Sequence, residues 1–235
     1  MNDFKTNENE KDNNYISGTF AISALPAMAQ NNIKVSVGAL FPNGKFGEYR
    51  DGNFSLTNGQ KYGGAGTGVG LGFSYKYGIS GIKGLGIVAS ANEMLNPLNG
   101  DANDYLDNQE LATNSEITRP KYLNFPLLIG GNYAYPLSED VSIFAEAQIG
   151  INIRYITSMT KESGVAETTN TYTTATTMAY QLGAGLELKK KYSISVEYYN
   201  LGAGKMKGKI TPGNQSLSGA KLTPTILALR LGYMF

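Results

Sequence analysis

Residues 141–155 read VSIFAEAQIGINIRY. Val141, Ile143, Ala145, Ala147, Ile149, Ile151, Ile153 and Tyr155 take the odd positions, and Ser142, Phe144, Glu146, Gln148, Gly150, Asn152 and Arg154 the even ones. The first set is apolar throughout and the second mostly polar or small. A period of two is that of a β-strand, whose successive side chains leave opposite faces. At about 3.3 Å per residue this strand runs about 50 Å. Strands of soluble domains usually stop at about five or six residues. A tilted membrane-crossing strand needs about nine to eleven and often projects beyond the bilayer. The stretch therefore predicts a transmembrane β-barrel, provided the chain supplies closing partners.

Seven further stretches alternate in the same way, at 33–41, 65–77, 85–95, 122–135, 174–189, 192–200 and 225–235. The segments between the eight strands alternate in length. Those at 42–64, 96–119, 157–172 and 201–222 are long and polar, whereas 78–84, 136–140 and 189–191 are short. An even strand number with alternating long and short connections is the pattern of an all-β, eight-stranded antiparallel up-and-down transmembrane barrel, with long extracellular loops and short periplasmic turns. The expected barrel covers residues 31–235, with both termini periplasmic. Pro126, which cannot donate to a ladder, predicts an irregularity within its strand.

The faces support the membrane reading. Tyr75, Tyr77, Tyr133, Tyr135, Tyr192, Tyr233 and Phe235 fall at the periplasmic strand ends, as a lipid-interface girdle requires, with Phe41, Tyr155 and Tyr198 at the other interface. A soluble lipocalin-like calyx would turn Gly66, Gly68, Gly70 and Gly72 to water and crowd its interior with Leu, Ile and Tyr. These glycines are not a phosphate loop, because Leu71 stands where the third glycine of GxGxxG belongs and no helix follows. Four alternate glycines instead predict a crowded barrel interior.

Six ionisable residues are expected to face inward: Lys34, Lys76, Glu146, Glu187, Glu197 and Arg230. They are expected in the periplasmic half, with Glu197 and Arg230 on adjacent strands and Lys34 across the closing seam from Arg230. An eight-stranded barrel is just wide enough for side chains to fill. An unpaired charge there is very costly, so these groups should pair and block ion flow.

Composition narrows the chemistry. The 235 residues carry a formal net charge of +1, which implies no nucleic-acid partner. With no Cys there is no disulfide or thiolate site, and with no His the usual general base and commonest metal ligand are missing. No apolar run is long enough for a transmembrane helix. No catalytic constellation stands out, so neither an enzyme nor a cofactor or metal site is expected. The acidic stretch 100–110, GDANDYLDNQE, fails the EF-hand pattern at Tyr105 and Leu106 and is expected to be a solvated loop.

Residues 1–30 are expected to be a polar tail followed by a signal-peptide-like remnant. Ala27-Met28-Ala29 resembles a small-residue cleavage site, although Asp3, Glu8, Glu10 and Asp12 outweigh Lys5 and Lys11, unlike a signal n-region. The alternative is an extra strand beside the barrel.

The stretches IKVSVGALFPNGKFG, GVGLGFSYKYG, YLNFPLLIGGNYAYPL, FAEAQIGINI, YQLGAGLELKKKYSISVEYYNLG and LALRLGYMF span 33–235. Together they resemble the outer-membrane protein β-barrel domain family, the small OmpA/OmpX-like barrels of Gram-negative envelopes. The resemblance implies a bacterial outer-membrane location, contact with outer-membrane lipid, a monomer, and a terminal Phe235 strand recognised by the barrel-assembly machinery. It implies no single activity. The expected role is structural or surface-interacting, with a small-solute channel as the alternative. Lys205, Lys207, Lys209 and Lys221 in the last long segment are expected either to meet lipopolysaccharide phosphates or to form a solubilising loop.

Overall fold

The computed structural model describes residues 32–49 and 62–235. The tail and signal-like segment at 1–30 lie outside the described residues. Thirteen strands and one α-helix are described, besides a single 3-10 turn at Gly44–Phe46: β1 (Asn32–Asn43), β2 (Gly68–Gly78), β3 (Leu85–Asn96), α1 (Gly100–Thr113), β4 (Glu116–Ile117), β5 (Tyr122–Pro136), β6 (Val141–Ile156), β7 (Met159–Ser163), β8 (Ala166–Tyr172), β9 (Ala175–Leu188), β10 (Tyr192–Asn200), β11 (Gly204–Thr211), β12 (Gln215–Leu222) and β13 (Thr225–Met234).

Eight of them close an antiparallel barrel in the order β1-β13-β10-β9-β6-β5-β3-β2. Seven barrel strands lie within two residues of their expected ends. The exception is β2, which begins at Gly68 rather than Ala65. There Ala65 forms only an isolated bridge to Leu98, and Gly66 presses so close that a Cβ would lie 2.7 Å from the Leu98 carbonyl oxygen. At Pro126 the ladder between β5 and β3 runs from Ala91↔Leu127 to Met94↔Asn124 with the pairs between left out, while pairing to β6 continues through Pro126↔Asn152. The short turn after β9 places Lys189 and Lys190 at φ 51° and 55°, the left-handed pair of a hairpin turn that follows strand twist.

The register fixes the shape. From Pro42 the partners run Ile226, Tyr199, Gln181, Gln148, Gly130, Val88 and Lys76, returning to β1 at Asn32. The circuit closes ten residues from its start, which for eight strands gives a tilt of about 40°. Projected on the axis, the seven expected girdle aromatics lie within about 9 Å of one level. Tyr192, Tyr233 and Phe235 stack edge to face there, with centroids 5.6 and 4.8 Å apart. Phe41, Phe125, Tyr155, Tyr180 and Tyr198 mark the opposite end, about 20–25 Å away along the axis.

Glu93 is the one charged residue on the outward face of the described barrel strands, and the other polar side chains of that face, Asn43, Thr176, Asn200 and Thr225, stand at the strand ends beside the long segments. Glu93 is exposed between its partners Leu71 and, across the interrupted ladder, Phe125. It lies near the level of Tyr180 and Tyr198, where a carboxylate can still reach the headgroups.

The long segments are not plain loops. Segments 157–172 and 201–222 fold into hairpins that join β4 in a second sheet, ordered β12-β11-β8-β7-β4. Polar composition masked these strands, yet β8 alternates, burying Asn170 and Tyr172 while Thr169 and Thr171 face away. Segment 100–110, expected as a solvated loop, is the helix α1. Asn99 caps it by accepting from the Ala102 N–H at 2.9 Å, and Asn114 ends it at φ 46°. Only Ala102 and Leu106 of α1 are buried, so it carries little apolar periodicity.

Leu229 and Ile149 face outward near mid-barrel, while Leu186 lies near the lower aromatic level. Leu229→Arg and Ile149→Arg should each cost about 2–4 kcal/mol and Leu186→Arg about 0–1, while Glu93→Leu should stabilise by about 1 kcal/mol. Reversible denaturant unfolding in lipid vesicles measures all four.

Candidate functional site

The inward face holds the ionisable groups, on more than one level. Near mid-barrel, Arg230 of β13 places Nε 2.9 Å from Glu197 Oε2 on neighbouring β10. The Ser195 hydroxyl donates to Glu197 Oε1 at 2.9 Å and the Tyr199 hydroxyl to Oε2 at 2.5 Å. The guanidinium carbon lies 5.7 Å from the Tyr199 ring centroid. Both Arg230 and Glu197 are almost wholly buried.

The alternate glycines make this pair possible. A Cβ on Gly38 would meet Arg230 Cγ at 2.7 Å, one on Gly72 would meet Nη1 at 3.0 Å, and one on Gly70 would meet Nη2 at 3.3 Å. The stripe is the wall against which one long buried arginine lies.

Beside this pair runs a hydrogen-bond chain. Ser90 Oγ donates to Gln148 Oε1 at 2.7 Å, Gln148 Nε2 to Gln181 Oε1 at 2.6 Å, and Gln181 Nε2 to Glu146 Oε1 at 2.7 Å. It links β3, β6 and β9. Glu146 thus takes amide donors rather than a cation. Nearer the chain termini, Lys76 and Glu187 meet at 3.5 Å across the lumen, since β2 and β9 are not neighbours.

The six expected groups therefore do not form one periplasmic-half layer. Glu197 and Arg230 lie about 10 Å along the axis from Lys76 and Glu187. Lys34 does not face Arg230 either: across the seam Gly38 pairs with Arg230 and Lys34 with Met234. The Lys34 ammonium instead sits 5.5 Å from the Phe144 ring centroid. Arg154 is a further inward cation outside the six, and the even parity of β6 already points it inward. It is buried, and donates from Nη1 to the Leu222 carbonyl at 3.3 Å and from Nη2 to the Gly202 carbonyl at 3.1 Å.

Above the charges the lumen ends in apolar packing. Leu40, Phe46, Met94, Leu106, Tyr122 and Leu222 belong to one buried cluster over the barrel mouth. Phe46 meets Tyr122 edge to face at 5.1 Å, and the Tyr122 hydroxyl donates to the Gly63 carbonyl at 2.5 Å. Outside this cap, Arg119 clamps α1 to the segment after β4. It bonds Glu110, Asp107 and the Ile117 carbonyl, with Nη2 3.0 Å from Glu110 Oε2. The Arg119 hydrogen bonds and the Ile117 N–H together hold the Glu110 carboxyl down at about 2. Among the described residues no group of three acidic side chains is placed to hold a metal ion.

The outer membrane protein beta-barrel domain family model matches residues 16–235. The chain belongs to this family. Membership places it among bacterial outer-membrane β-barrel proteins. The chain is also similar to solved structures, three of which follow. A major outer membrane protein from Thermus thermophilus is 13% identical, with 87% of this chain and 99% of that one covered, at a TM-score of 0.47. Pseudomonas aeruginosa OprG is 14% identical over 87% and 95%, at 0.45. Neisserial surface protein A is 10% identical over 87% and 97%, at 0.44. No curated protein matches the chain in sequence.

Arg230→Ala strands the buried Glu197 carboxylate and should destabilise the barrel by about 3–5 kcal/mol. Heat-modifiability on electrophoresis and denaturant midpoints in vesicles both read this loss. The Glu110 contribution to α1 docking is present above the ordinary carboxyl value of 4.5 and is lost as pH falls toward 2. Amide exchange across α1 should therefore accelerate between those limits while the barrel strands stay protected.

Proposed function

We propose that this protein is a non-conducting, non-enzymatic outer-membrane barrel that presents an ordered cap to the cell exterior for surface interaction. The packed apolar cluster at the barrel mouth carries this reading. Beneath it the Glu197–Arg230 pair and the amide chain fill the mid-lumen, and Lys76–Glu187 spans it near the chain termini. Buried charges held by an opposite charge or by fixed hydrogen-bond partners, rather than along a wetted wall, are what a closed interior requires.

The cap lies at the end of the long connections, so the short turns and both termini are read as periplasmic. The seven aromatics Tyr75, Tyr77, Tyr133, Tyr135, Tyr192, Tyr233 and Phe235 then form the periplasmic-side lipid girdle, with Phe41, Tyr155 and Tyr198 at the outer interface. Residues 31–235 act as one barrel unit, a monomer inserted by the barrel-assembly machinery through the strand ending at Phe235. Outer-membrane lipid, lipopolysaccharide included, is its immediate partner. A chain without His or Cys supports the absence of catalysis.

Single-channel recording in planar bilayers tests this. The parent protein should show no steady conductance. A stable open pore would replace the reading with that of a small-solute channel.

A further inference from the structure

The lysines of the last long segment form a row rather than a loop. Lys205, Lys207 and Lys209 share one exposed face of β11, about 7 Å apart, and Lys221 of β12 sits directly opposite Lys205. The other face carries Tyr172, Leu217 and Leu222 into the buried cluster. The lysines therefore point away from the barrel axis, above the lipid-facing wall. β11 pairs with β12 from Gly204 to Ile210, with a register shift between Lys205 and Lys207, and with β8 from Gly208 to Thr211, so Lys209 is flanked by strands on both sides. None of the four lysines makes an ion pair among the described residues, and like charges directly opposite on neighbouring strands are unfavourable.

The row starts at a small notch. Arg154, Ile156, Tyr172, Thr173, Ala175 and Lys205 line a cavity of about 10 Å³, room for one oxygen-sized atom. Arg154 is 2% exposed, has no carboxylate partner among the described residues, and keeps its Nε without an acceptor. A buried cation without an anion, beside the first of four unpaired lysines, is an incomplete electrostatic arrangement.

We propose that this face binds the phosphorylated sugars of a glycolipid in the surrounding outer leaflet, one phosphate oxygen entering the Arg154 notch and further phosphates lying along the lysine row. The face looks sideways, toward neighbouring lipid rather than toward a soluble polymer arriving from above, and from Lys205 to Lys209 the row spans about 13 Å along β11. Charge-assisted bonds to phosphate supply the affinity. The assignment rests on the cap being extracellular.

The test uses the whole chain in phosphatidylcholine nanodiscs and labelled rough lipopolysaccharide with a phosphorylated inner core. Fluorescence anisotropy should show saturable binding that weakens with salt. Lys207→Gln/Lys209→Gln/Lys221→Gln should reduce affinity by about tenfold or more, and Tyr172→Phe, which removes the buried hydroxyl of a notch-lining residue, should reduce it severalfold. Equal binding of the dephosphorylated glycolipid, or unchanged affinity of the triple variant, overturns the proposal. So does binding of a soluble sulfated polysaccharide without binding of the glycolipid. Labelling of Ser163→Cys in intact cells separates the two readings. An unlabelled thiol would show that the cap is not extracellular, whereas a labelled thiol with undiminished glycolipid binding by the variants overturns the binding face alone.

Discussion

Inside a bilayer no water is available to satisfy a free backbone N–H or carbonyl, and everything else in this molecule depends on that constraint. Each barrel strand must therefore pair on both sides, and the sheet must close. Closure with a ten-residue stagger sets a tilt of about 40° and leaves a lumen only as wide as the side chains that fill it. The lipid-facing rows of Leu, Ile and Tyr follow from the outside of that sheet. The glycine stripe and the buried polar groups follow from its inside.

Narrowness makes the interior electrostatically demanding. Arg230 is accommodated because Gly38, Gly70 and Gly72 carry no Cβ. Its charge is tolerated because Glu197 lies 2.9 Å away and is itself held by Ser195 and Tyr199. Glu146 solves the same problem differently, with two glutamine amides in place of a cation. Buried pairs of this kind contribute little net stability relative to apolar packing, because desolvation offsets the attraction. Losing one partner is what is expensive, so each pair fixes the other's identity.

The outer end obeys the rules of a soluble protein. There β4, the β7–β8 and β11–β12 hairpins and α1 bury Ile117, Leu217, Leu222 and Leu106 over the barrel mouth and turn Thr and Lys outward. The chain thus builds two cores of opposite sense. In the barrel the polar side is inside, and in the cap the apolar side is. Arg154 stands at the junction, bonded to the carbonyls of Leu222 and Gly202 that lead between barrel and cap.

The sequence by itself determined the eight barrel strands, their inward and outward faces and the aromatic levels, because a period-two pattern imposed by lipid on one side is local and strong. Parity alone put Lys34, Lys76, Glu146, Glu187, Glu197 and Arg230 inside. It could not say which of them meet, since a pair such as Lys76 and Glu187 depends on the stagger that brings β2 across from β9. Nor did it show α1 or the second sheet, whose faces are polar outside and thinly apolar inside, so their signal lies in contacts between distant segments. The lone outward Glu93 and the inward Arg154 were legible in parity but acquired meaning only from their neighbours. Those neighbours are fixed by register and closure, which are properties of the whole sheet and of no single strand.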